Sequence, residues 1–155
     1  MREERLYNVL FPLWFFFVIP SPILLLILAG NWLVDSLVLH FGCRKLQIAE
    51  AKEVRRRSIL KVCLIGFLSD FAGAAFLLGM TILVGWLQID YDVGRGIYCV
   101  LFSLPGVLLA GILIYSLNRR FSFRDTSLEP EQIRRLGLWL ALYTAPYLMV
   151  LPQYW

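Results

Sequence analysis

Two aspartates sit where an apolar chain has least reason to hold them. Asp35 ends the run Gly30-Asn31-Trp32-Leu33-Val34-Asp35, and Asp70 lies within Gly66-Phe67-Leu68-Ser69-Asp70-Phe71-Ala72-Gly73. Carboxyl groups in such a setting can bind a cation, relay a proton, or hold helices together by hydrogen bonds. Neither can face lipid, because a charged Asp near a helix centre costs about 2.5–3.5 kcal/mol on insertion scales. Asn31 precedes Asp35 by one helical turn on the same face. Asp35, Asp70, Asn31 and Ser69 therefore form the candidate ion or polar helix-contact site, with Ser103 as a further neutral ligand. The plainer reading of the same residues is hydrogen-bond glue between helices.

Other chemistries fit less well. Intramembrane aspartyl proteases carry Gly-x-Gly-Asp, whereas Phe67-Leu68-Ser69 precedes Asp70 here. His40 is the sole histidine, with Ser36 one turn away, but no third group or oxyanion donor accompanies them. Cys43, Cys63 and Cys99 form no C-x-x-C and have no companion histidines, which argues against a zinc site or a disulfide framework. Cys43, at a membrane edge, is a site where acylation could occur. Nucleotide loops and kinase or hydrolase signatures are absent. The expectation is a non-enzyme with no catalytic residue, metal or cofactor.

The elements that must position these residues follow from hydropathy. Apolar residues make up 59% of the 155-residue chain and charged residues 17%, against ~45–50% and ~25% in soluble domains. Mean hydropathy is +0.70. Every charged residue except Asp35 and Asp70 falls in one of four islands, at 1–5, 44–61, 88–96 and 118–135. The net charge of +4 does not indicate nucleic acid. The basic islands adjoin apolar runs, and the positive-inside rule accounts for them.

An all-α polytopic transmembrane bundle follows, forming a single integral membrane domain over 1–155. Spans are expected at 22–42, 59–87, 97–117 and 136–152. Gly42 is expected to stop the first span, Gly79 or Gly85 to break or tilt the second, and Pro105 to kink the third. Residues 6–19 end at Pro20-Ser21-Pro22 and reach only ~21 Å, short of a ~30 Å hydrocarbon core, so they form a short inserted or interfacial N-terminal segment. Ser127 is placed to cap the last helix, and Tyr154 and Trp155 to anchor the C-terminus in the interface.

Small residues mark the helix-packing positions: Gly66, Gly73 and Ala74 on one span, Ser103, Gly106 and Ala110 on another. The basic loops 43–58 and 118–135 should lie in the cytoplasm and the C-terminus outside. Arg55, Arg56, Arg57, Arg119 and Arg120 there can meet lipid head groups or an acidic partner.

Within the second loop, Asn118-Arg119-Arg120-Phe121-Ser122-Phe123-Arg124 locally resembles the Asn-Arg-x-aromatic-x-Phe stretch of GtrA-like four-span proteins. That family is linked to moving polyprenyl-phosphate-linked sugars. The likeness covers about seven of 155 residues, and the family has two spans after the motif where one follows here, so no residue roles carry over.

The function expected is that of a non-enzymatic subunit, scaffold or partner-binding component in a bacterial-type inner (plasma) membrane. Its partners would be the bilayer and other membrane subunits or further copies of itself. The alternative is a small homo-oligomeric ion- or proton-coupled transporter or channel using Asp35 and Asp70.

Overall fold

A computed structural model describes residues 22–88 and 96–150. These residues form helices and connecting turns, with no strand among them. Four helices carry the architecture: α1 (Pro22–Lys45), α2 (Ala51–Trp86), α3 (Gly96–Leu117) and α4 (Pro130–Thr144). A π-helical turn, Asn118–Ser122, extends α3, and a 3-10 turn, Tyr147–Val150, follows α4. The helices close a ring in which α1 packs on α2, α2 on α3, α3 on α4 and α4 back on α1.

Three stretches, Leu25–Lys45, Ala51–Trp86 and Tyr98–Ser122, are long and apolar enough to cross a membrane. Residues 6–19, most of the acidic turn at 88–96, and the terminal Tyr154 and Trp155 lie outside the described residues.

Several expected boundaries shift, each for a physical reason. Gly42 does not end α1. A Cβ there would stand 2.6 Å from Leu136 and 3.2 Å from Trp139, so the glycine instead lets α4 lie close. The stop comes at Gln47, whose φ of 50° is left-handed. The Ile48 N–H donates to Cys43 O and the Gln47 N–H to Arg44 O, both at 3.1 Å. This is the double-bonded Schellman ending, with glutamine in the place glycine usually takes.

α2 starts at Ala51 rather than 59, so most of the expected first basic loop is helix and the link shrinks to 46–50. Lys, Arg and Glu are good helix formers, so the helix begins before the apolar run does. Nor does α2 break at Gly79 or Gly85, and α3 continues through Pro105.

The last helix also differs. It begins at Pro130, six residues before the expected span, and stops at Thr144 rather than reaching 152. Its N-cap is Glu129, not Ser127: the Glu129 N–H donates to Gln132 Oε1 at 3.1 Å, and Pro130 takes the first helical position. Fifteen residues reach ~22 Å. Leu136, Leu140 and Thr144 recur every fourth residue and are buried, while Arg134, Arg135, Leu138 and Leu142 face outward.

Two apolar clusters fill the ring. One joins Leu39, Val54, Val62, Ile114, Phe123, Leu136 and Leu140. The other joins Ala74, Leu77, Phe102, Val107, Ala145 and Met149. Between α2 and α3 the backbones nearly touch: a Cβ on Gly73 would meet Gly106 O at 2.7 Å and Ala110 at 3.2 Å, and one on Gly106 would meet Leu77 at 2.5 Å. The stripe Ser103, Gly106 and Ala110 is thus an internal seam. The carboxyl pair lies between the two clusters.

Candidate functional site

α1 brings Asn31 and Asp35 one turn apart, and α2 brings Cys63, Gly66 and Asp70 along one face. Thr144, at the end of α4, closes the third side. Asn31 Nδ2 donates to Asp70 Oδ2 at 2.6 Å, linking α1 to α2 across 39 residues of sequence. Asp35 faces the Thr144 hydroxyl and the Cys63 thiol. Both aspartates are 1% exposed, so neither projects into lipid. Gly66 makes the room: a Cβ there would stand 3.2 Å from Asp35 Oδ2.

The polar groups are incompletely matched. Asp35 Oδ2 and Asp70 Oδ1 are buried and without a hydrogen-bond partner among the described residues. Among the described residues none that faces the pair is basic. An acid pair with one amide, one hydroxyl and one thiol can pass a proton or receive a cation. It offers no charged partner of its own. Among the described residues no group of three His, Cys, Asp or Glu side chains is arranged to hold a metal.

The sequence-derived residues separate into distinct places. Asp35, Asp70 and Asn31 come together. Ser69 is buried beside them in sequence, but its hydroxyl donates to Ile65 O at 2.7 Å within its own helix. Ser103 lies on the α2–α3 seam next to Cys99. Gly73 and Ala74 belong to that seam and its cluster, whereas Gly66 packs on Asp35. Thr144 was not singled out by sequence. Its signal was the four-residue repeat Leu136, Leu140, Thr144, which puts a hydroxyl on the buried face of α4.

The basic residues form a second polar group at one end of the bundle. An Arg55 guanidinium N–H donates to His40 Nδ1, which leaves the imidazole proton on Nε2. Arg57 pairs with Glu53 at 2.6 Å, and Lys61 with Asp125 at 2.5 Å. The Ser127 hydroxyl donates to Glu50 Oε2 at 2.8 Å, so the residue expected to cap α4 ties the 46–50 link to the 123–129 link instead. Asp125 is held below the usual carboxylate range by the hydrogen bond and charge of Lys61. Arg56, Arg119 and Arg120 are exposed.

Ser36 donates to Trp32 O at 2.7 Å, away from His40, so no Ser–His pair is assembled. Cys43 is 1% exposed, which removes the access that acylation needs. In the π turn, Asn118 Nδ2 donates to Ile114 O at 2.9 Å and Ser122 donates to Asn118 Oδ1 at 2.5 Å. These bonds satisfy the backbone where the helix widens.

No known protein family, curated protein or solved structure matches this chain. The resemblance at Asn118–Arg124 thus remains local: its buried Asn118 and Ser122 serve the turn itself, and Phe123 packs in the first apolar cluster.

Proposed function

We propose that the chain is a non-enzymatic multi-pass component of a membrane assembly, acting as a subunit or scaffold that binds another membrane protein. The observation that carries this reading is the bareness of α1. Only 17% of its apolar window is buried within the fold, against 44% for α2 and 33% for α3. Leu25, Leu26, Trp32 and Leu33 are each more than half exposed. The 46–50 and 123–129 links are too short to form a soluble catalytic domain.

In this reading the basic ends face the cytoplasm of a bacterial-type inner (plasma) membrane. α4 and the turn after it complete a fourth crossing, which puts the C-terminus outside.

A photo-crosslinker at position 33, activated in native membranes, should capture a second protein chain at fixed stoichiometry. The same group at Leu68, on the outer face of α2, should capture lipid. Lipid adducts alone at both positions would sink the reading.

One observation favours a second reading, a proton- or cation-coupled transporter: each buried acid keeps an oxygen without a partner among the described residues. Flux into liposomes that is lost in Asp35→Asn and Asp70→Asn, with both variants still folded, would establish it.

A further inference from the structure

α1 and α4 leave a groove of about 420 Å³ open to the outside of the bundle. Its walls are Val34, Leu37, Val38 and Phe41 on α1, and Trp139 and Tyr143 on α4. Those α1 positions follow a three- and four-residue spacing, so they form one stripe along the helix. Gly42 forms the floor, and its missing side chain is what allows Trp139 to lie against α1.

The groove has a polarity. Lys45 closes one end, at the basic edge of the bundle, with Nζ over the Trp139 ring at 5.3 Å from its centroid. From Lys45 to Val34 the apolar stripe runs ~16 Å along the helix axis. That is about half of a ~30 Å hydrocarbon core, the depth of a single leaflet. Lys45 has no ion pair with a carboxylate among the described residues, whereas Lys61 and Arg57 do.

We propose that this groove holds one anionic phospholipid of the leaflet facing the basic loops. An acyl chain lies along the α1 stripe and the phosphate pairs with Lys45. The chemistry follows from the two ends. A one-leaflet apolar trench matches an acyl chain and is too short for a crossing helix. An ammonium at the head-group level, held by an aromatic face, selects negative over zwitterionic heads. The groove borders the bare α1 surface around Leu33, which lies one turn from Leu37 on the same face, and the lipid site stands whether or not a protein partner binds beside it.

The test uses the intact chain in detergent with defined lipid, read by native mass spectrometry. Phosphatidylglycerol should remain bound at one per chain where phosphatidylcholine does not. Lys45→Gln should lower phosphatidylglycerol retention about fivefold. Lys52→Gln, an equal charge change at an exposed position outside the groove, should leave it unchanged. Leu37→Trp, which fills the groove from an exposed position, should displace the lipid without touching Lys45.

Equal retention of the two lipids would overturn the proposal. So would equal loss in Lys45→Gln and Lys52→Gln, or full retention in Leu37→Trp. A crosslinker at position 37 that captures a protein chain instead of lipid would overturn it as well.

Discussion

Asp70 and Asp125 are the same side chain in two solvents. Asp70 lies 1% exposed between helices and takes one hydrogen bond from the Asn31 amide. Asp125 lies at the basic edge and takes the flexible ammonium of Lys61. The difference follows from the cost of bringing each partner in. Inside hydrocarbon an unmatched polar group has no water to turn to, so a short neutral donor fixed on the facing helix serves best. At the edge water supplies any missing bond, so a long charged side chain adds little and can come and go. Interior polarity therefore depends on helix register, and edge polarity hardly does.

The sharpest way to break that contrast is steric. Gly66→Leu would drive side-chain atoms into the space that Asp35 occupies, and should destabilise the bundle by about 3 kcal/mol, the upper end for overpacking. Gly79→Leu is the control, since a Cβ there meets nothing within 4 Å. Unfolding by increasing detergent fraction in bicelles measures both. Equal stability of the two variants would remove Gly66 from the site.

Asn31→Leu comes next. It takes the single amide donor from Asp70 and should cost about 1–2 kcal/mol. Combining it with Asp70→Leu should recover part of that loss, because both ends of the bond then become apolar. A purely additive double variant would show that the two residues do not interact.

A smaller effect of opposite sign is expected at Gln47. Gln47→Gly relieves the left-handed backbone at the end of α1 and should stabilise the protein by about 0.5–1 kcal/mol in the same assay. No gain would mean that the turn relaxes without cost.

The smallest effect is at Lys61 and Asp125. Lys61→Ala should leave the melting temperature at neutral pH nearly unchanged, and added salt should erase any difference. The Asp125 carboxyl is held below its ordinary range. Its contribution is therefore complete above the unfolded value near ~3.9 and fades as pH falls through the lower folded value. Amide exchange at 46–50 and 123–129 should quicken only below about pH 4. Quickening at pH 6 would point to another group.

The two regions were not equally legible. Asp35 and Asp70 stand out because hydropathy makes a lone charge conspicuous, and Asn31 follows from helical periodicity. Thr144 was harder to see, because the repeat Leu136, Leu140, Thr144 marks a buried face but says nothing of the carboxyl it meets until the helix is docked. At the edge, the six positive charges within 43–58 suggested a loop. They lie mostly on α2, because hydropathy marks where lipid begins and not where hydrogen-bonded helix begins. Gly42 read as a stop, since glycine serves helix ends and close packing alike. Only the neighbouring Leu136 and Trp139 tell the two apart.

By itself the sequence determined that the chain is helical and apolar enough for a membrane, and that two of its acids must turn away from lipid. Those conclusions rest on transfer free energies, which each residue carries wherever it sits. Tertiary structure alone decided which helix supplies the second face of Asp35, that the Gly106 stripe is internal, and that Lys45 stands at the mouth of a groove. Such facts depend on the rotation and register of one helix against another. Those are set by the summed shape of many side chains, and no single residue type encodes them.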